Sequence, residues 1–291
     1  MKVNYECAPC MMRQASEAIE HALDDEDKRM QVTLKILEYL NENFKENVRS
    51  NKLGTDMHHE IMKLTDNNDP YKVLREMGNN VAEKLIPSMK KVLDDDPSFA
   101  NYVQIAVVGN IIDFGALTQD TDMEAMIKQQ LTQPPVINDI DKLDEALRNS
   151  QNILYLADNG GEIVFDKLLI EKIKQDYDVN ITLALKENPI LNDALLPDAQ
   201  KLELDKYAKL ITTGAASVGV VEDYISDELK ELIDTSDIII SKGMGNYEGL
   251  TEMNIKTPVY FLLNTKCQVI SDDVGVPLKS NVVIKRDLSD N

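Results

Sequence analysis

The chain changes its hydrophobic period once. From Ala8 to about Leu147 apolar residues recur at helical spacing. Val32, Ile36, Leu37 and Leu40 share one predicted face, and Val81, Leu85, Met89 and Val92 another. Breaks are expected at Asn51 to Thr55, Asn67 to Pro70, Asp94 to Pro97 and Gln133 to Pro135. Pro70 suits the first turn of a helix, with Asp69 as its cap. No strand and no internal repeat stands out in this half.

After about Asn149 short apolar runs take over: "NILYLAD", "NITLALK", "AKLITTG", "SDIIISKG", "PVYFLLN" and "NVVIK". Helical stretches separate several of them, including Ile163 to Ile173 with Val164, Leu168 and Leu169 inward. Strands alternating with helices predict an α/β fold: a Rossmann-like, mostly parallel sheet with helices on both faces. An N-terminal all-α domain precedes it. The expected division is a helical domain over residues 1–147 and an α/β domain over 148–291 that carries the site.

Composition narrows the function classes. The chain has 291 residues, 43% of them apolar, which is enough for a large core. Its 51 acidic and 31 basic residues give a net charge of −20, which argues against nucleic-acid binding. A small anionic substrate remains compatible, because a metal ion and one or two lysines can invert the local field. No apolar run reaches the roughly 18 residues of a membrane span. The N-terminus "MKVNYECAPC" lacks a signal peptide's apolar stretch, so no membrane association and a cytoplasmic location are expected. Three cysteines, an odd number, argue against a disulfide framework.

In a parallel sheet the strand C-termini share one edge, and here every loop at that edge is polar. Asp158, Asn159, Gly160, Gly161 and Glu162 follow the first run, and Lys186, Asn188, Asn192 and Asp193 the second. Thr212 to Gly219 follow the third, Lys242 to Glu248 the fourth, and Asn264, Thr265 and Lys266 the fifth. Asp158, Asn159 and Asp193 offer hard oxygen donors, which suit a divalent cation such as Mg²⁺ or Mn²⁺. Helix capping is the competing role for Asp158. The amides of Gly160, Gly161 and the Gly214 to Gly219 loop, which includes Ser217, are candidates to hold an anion. Lys242 and Lys266 are candidate phosphate partners, with solvated lysine as the alternative. No dinucleotide fingerprint or P-loop is present.

"LADNGGEIVFDKLLI", "ILNDAL", "SKGMGNYEGL" and "LLNTKC" resemble the signature segments of the metal-dependent damage-control phosphatases, long known as domain of unknown function eighty-nine. "YECAPCMMRQA", "NNDPYKVLREMGN" and "VVGNIIDFGA" resemble the branch with an N-terminal CxxC. The resemblance implies hydrolysis of phosphate monoesters on small metabolites, sugar phosphates or damaged phosphorylated cofactors, with a divalent metal (Mg, Mn, Co or Ni). Carried over by motif, Asp158, Asn159 and Asp193 correspond to metal ligands, and Asn246 and Lys266 fall in segments that line the substrate phosphate; Asp158, Asp193 and Lys266 are the expected catalytic residues. Gly160, Gly161, Glu162, Gly214, Ser217, Asn246, Tyr247 and Lys266 form the expected substrate-binding set. The rival classes are an S-adenosylmethionine-dependent methyltransferase and a non-catalytic metal- or metabolite-binding module.

Cys7 and Cys10 form a lone CxxC. A second metal site completed by His58 and His59, a redox pair and plain helix packing all remain open for it. Cys267 is expected to be buried and His21 to lie on the surface. "GNIIDFG", with Asn110 and Asp113, either contacts the crevice or packs the domains together.

Overall fold

The computed structural model describes residues 1–110 and 123–289. Five helices come first: α1 (Cys7–Ala22), α2 (Glu26–Asn43), α3 (Ser50–Thr65), α4 (Lys72–Asp95) and α5 (Phe99–Gly109). After α6 (Met123–Leu131), β1 (Ile137–Asn138) and α7 (Ile140–Arg148), strands and helices alternate. They are β2 (Asn152–Leu156), α8 (Glu162–Asp176), β3 (Asn180–Leu185), α9 (Leu196–Lys201), β4 (Lys209–Thr212), α10 (Asp227–Thr235) and β5 (Ile238–Lys242). Then come α11 (Gly243–Leu250), β6 (Ile255–Asn264), α12 (Gln268–Val274) and β7 (Asn281–Leu288).

The seven strands form one sheet in the order β1-β7-β6-β5-β2-β3-β4. All neighbours pair in parallel except β6 and β7. This is the α/β class that the alternating pattern predicts. The chain leaves β2 toward β3 on one side and returns to β5 on the other. A crevice therefore opens beyond the C-terminal ends of β2 and β5, the point where such sheets place ligands.

Both faces of the sheet are covered, which is why its strands read as continuous apolar runs. Ile153, Tyr155, Leu183 and Ile240 face a core shared with Leu143 of α7, Leu169 of α8, and Val103 and Ala106 of α5. Leu154, Leu156, Ile239 and Phe261 face Leu229 of α10 and Leu250 of α11. Helices α1 to α3 build their own core around Met11, Ile36 and Met57. Ala82, Leu85 and Met89 of α4 press on Val164 and Leu168 of α8, so α8 is buried between two layers.

Four local expectations differ from the structure. Leu37 points outward at 45% exposure, because Val32, Ile36 and Leu40, each four residues apart, already fill the inward stripe. On α4 the buried face is Ala82, Leu85, Met89 and Leu93, one position off at each end. Asp69 does not cap α4; its carboxylate accepts from the Arg75 guanidinium instead. Asn51 to Thr55 is no break. These residues lie within α3, and their polar side chains read the backbone of another loop. The Asn51 amide donates to the Val220 carbonyl at 2.9 Å, and the Val218 N–H donates to Thr55 Oγ1 at 2.9 Å.

Candidate active site at the β2/β5 crevice

The loops after β2 and β3 are stitched together by their backbones. Asn159 and Asp193 form an antiparallel bridge. The Ala194 N–H donates to the Asp158 carbonyl at 2.8 Å, and the Gly160 N–H to the Asn192 carbonyl at 2.7 Å. This brings Asp158, half-buried, against Asp193, 3% exposed. Burial, Asp193 and Glu162 together hold the Asp158 carboxyl well above the usual carboxylate range, with Lys186 and Lys266 pulling the other way. Burial raises Asp193 to about 6, although Lys186 opposes the shift. Two adjacent carboxylates, both raised in proton affinity, are what a cation would relieve.

The amide and carboxylate orientations fit that cation. Asp158 Oδ2 accepts from Asn159 Nδ2 at 2.8 Å and Asn110 Nδ2 at 3.1 Å, which leaves Oδ1 outside this network. Asn159 Nδ2 has carboxylate oxygens on both sides, Asp158 Oδ2 and Glu162 Oε2, so its nitrogen is fixed inward and Oδ1 faces away. Asp158 is therefore no helix cap; Gly161 holds the cap position of α8, without a side-chain bond. Among the described residues no three His, Cys, Asp or Glu side chains gather as a metal-holding group. A cation at this crevice would rest on two carboxylates and an amide oxygen, with water or substrate oxygens completing the shell, as Mg²⁺ permits.

Several expected substrate contacts serve the scaffold. The Gly160 N–H is taken by the Asn192 carbonyl and the Gly161 N–H by Asn79 Oδ1 at 2.6 Å, so neither amide is free for an anion. The missing β-carbon of Gly160 makes room for the Arg75 side chain, not for a ligand. Glu162 is fully buried beneath Asp158. Lys242 is neither solvated nor phosphate-facing: at 0% exposure it donates to Glu162 at 2.6 Å, Asp166 at 2.5 Å and the Ala106 carbonyl at 2.8 Å. The Tyr247 ring lies against Phe261, and its hydroxyl donates to Asp273 at 2.6 Å. Ser217 is buried and donates to the Gly219 carbonyl, while Gly214 is exposed. The Asn246 amide donates to the carbonyls of Ala157 and Lys242, tying the ends of β2 and β5 together. Lys266 is exposed at the end of β6 and acts electrostatically on Asp158.

The family model for the damage-control phosphatase ARMT1-like domain matches residues 3–282. The chain belongs to this family. It is 35% identical to a damage-control phosphatase of Pyrococcus horikoshii over 277 residues, covering 95% of this chain and 96% of that protein. It is 32% identical to a damage-control phosphatase of Archaeoglobus fulgidus over 282 residues, with the same two coverages, 95% and 96%. A crystal structure of a DUF89 family protein from Pyrococcus horikoshii superimposes with a TM-score of 0.90 at 33% identity, covering 98% of this chain and 99% of that one. The crevice described above thus belongs to a damage-control phosphatase fold along essentially its whole length.

Three residues at this crevice carry no role in the sequence analysis. Lys186, 2% exposed, donates to the Gly219 carbonyl at 3.1 Å and faces Asp193 at 3.5 Å. Asn79 bridges the Gly161 N–H and Asp198. Arg75 packs over Gly160 while bound to Asp69. Lys186 at the second strand end and the segment "NNDPYKVLREMGN", which holds Arg75 and Asn79, were the available signals. Asn110 does reach the crevice; Asp113 lies outside the described residues.

The histidines do not complete a CxxC site. His58 is buried beside Tyr71 with no partner for Nε2, and His59 Nε2 meets the Ala216 carbonyl. Cys7, Cys10 and Cys267 are free and half-buried rather than fully buried, and burial pushes the Cys7 and Cys267 thiols up. No helix among the described residues is long and apolar enough to cross a membrane.

Proposed function

We propose that this chain is a divalent-metal-dependent phosphomonoesterase acting on a small phosphorylated metabolite, a sugar phosphate or a damaged phosphorylated cofactor. The observation that carries the proposal is the Asp158–Asp193 pair, raised in proton affinity and flanked by Lys186 and Lys266 at the sheet's switch point. Asp158, Asn159 and Asp193 would hold Mg²⁺, Mn²⁺, Co²⁺ or Ni²⁺, which when bound supplies positive charge to a phosphoryl oxygen. Lys266 at the rim is free to swing onto the remaining phosphoryl oxygens and stabilise charge that develops there. Lys186 keeps Asp193 in place by holding both its carboxylate and the Gly219 carbonyl of the facing loop. The family assignment supports the reaction class, and a net charge of −20 is consistent with a site whose positive field is purely local.

The test is hydrolysis of a panel of sugar phosphates, nucleotides and cofactor phosphates by chelator-treated protein, with each metal added back singly. Turnover that depends on added metal supports the reading. Full turnover in metal-free protein, or none with any substrate and metal, overturns it.

A further inference from the structure

A lysine with no solvent exposure sits directly beneath the crevice, and nothing in the proposed hydrolysis uses it. Lys242 is bound by Glu162 Oε1 and Asp166 Oδ1, and the Tyr155 hydroxyl donates to the same Asp166 oxygen at 2.7 Å. A buried cluster of this kind is costly to desolvate and contributes little net stability. Its upper end shows another use. Glu162 Oε2 accepts from Asn110 Nδ2 at 2.8 Å and from Asn159 Nδ2 at 3.3 Å. Both amide nitrogens also reach Asp158 Oδ2. On its far side Asn110 Oδ1 accepts from the Asn264 N–H at 3.3 Å, two residues before Lys266.

We infer that Glu162 is a positioning residue for the metal site, with Asn110 as its partner. Glu162 is an acceptor at both oxygens, one fixed by Lys242 and the other turned up toward two amides. That arrangement forces the Asn159 carboxamide to present its oxygen, not its nitrogen, to the crevice. It also pins Asp158 Oδ2 and leaves Oδ1 for the cation. Asn110 carries the same constraint across to the strand end that bears Lys266. Glu162 therefore touches neither metal nor phosphate and acts through Asn159 and Asp158. The inference rests on the metal reading above and adds to it a residue that the motif alone would have assigned to the substrate.

Glu162→Gln tests it, because a carboxamide cannot accept at both ends. Turning its oxygen to Lys242 sets an NH₂ against the two asparagine NH₂ groups, and the reverse sets an NH₂ against the ammonium. Mn²⁺ dissociation constants are measured on the purified full chain by titration with electron paramagnetic resonance detection of free Mn²⁺. Loss of an outer partner of a metal ligand typically weakens binding by about 10–100-fold, and that loss is expected for Glu162→Gln. Asn110→Ala, which removes one of the two amides and keeps the buried ion cluster, is expected to weaken Mn²⁺ by a smaller factor in the same direction. In both variants saturating Mn²⁺ restores most of the turnover number. Tyr155→Phe, on the opposite side of Lys242, lowers the melting temperature and leaves Mn²⁺ binding as in the wild type. If wild-type protein binds no Mn²⁺, the metal reading falls and this inference with it. If the wild type binds Mn²⁺ and both Glu162→Gln and Asn110→Ala bind it equally well, this inference alone is overturned.

Discussion

Gly243 and Asp158 share one space: a β-carbon built on Gly243 would overlap the Asp158 carboxylate at Oδ2. Gly243 also has φ +74°, a backbone conformation that side chains resist. The first residue after β5 is thus shaped by the acid after β2. Gly243→Ala is expected to displace Asp158 and lower kcat/KM by on the order of 10², the typical cost of an ångström-scale misplacement. Wild-type kcat/KM in a variant with native circular dichroism would show that Asp158 need not sit where it does.

Asp193 and Lys266 separate metal binding from charge stabilisation. Asp193→Asn keeps the side-chain shape but removes a negative charge from the proposed ligand set, so metal affinity should fall first and added metal should restore part of the rate. Lys266→Ala should lower the rate by about 10²–10³, the typical cost of losing one donor to the developing charge, without rescue by metal. A metal titration of both variants checks the assignment, and rescue of Lys266→Ala would reverse it.

Lys242 is the cation of a fully buried cluster, and its two carboxylates have no other positive partner among the hydrogen bonds seen there. Burial alone would lower its proton affinity, but Asp166 and Glu162 outweigh that and raise it. Lys242→Met should therefore destabilise the fold by about 3–5 kcal/mol, the usual cost of orphaning a buried charge. Urea unfolding measures this; an unchanged midpoint with an unchanged slope would contradict the ion cluster.

His58 sets an acid limit. Burial, with a smaller contribution from His59, lowers His58 from 6.5 to about 4. The unfolded chain then binds more protons than the folded one between those values, so stability is full above pH 6.5 and is lost as pH falls toward 4. The loss amounts to roughly 3 kcal/mol across the window. Asp193 and Asp166, both raised to about 6 by burial, work in the opposite sense over much of the same range, so the comparison must be with a variant. His58→Leu should lose less stability than the wild type between pH 6.5 and 4 in urea titrations. Parallel curves would show that His58 does not titrate as described.

Cys7 and Cys10 interact electrostatically with Cys267, the neighbour of Lys266, but have no part in the proposed hydrolysis. Cys7→Ser with Cys10→Ser is expected to alter stability more than turnover per folded molecule. A folded double variant without turnover would tie these thiols to the site.

The sequence by itself determined the alternation that makes the sheet and the polar loops at one edge of it. Period and strand-end polarity are local properties, and "NILYLAD" or "SDIIISKG" carries them without help from the rest of the chain. It also marked Asp158, Asn159 and Asp193 as one donor set, because their chemistry is shared. It did not show β1, a two-residue strand too short to leave a period. It missed that Asn51 to Thr55 is helical, because the partner of those polar side chains is a backbone more than 160 residues away. Which glycine amides stay free, whether Lys242 points to solvent or inward, and on which side Tyr247 lies were all decided by tertiary packing. Each depends on what a distant element presses against that residue: Asn79 and Asn192 on the glycines, Glu162 and Asp166 on Lys242, Phe261 and Asp273 on Tyr247. A residue's type fixes which bonds it can make, and only the assembled neighbours determine which of them it does make.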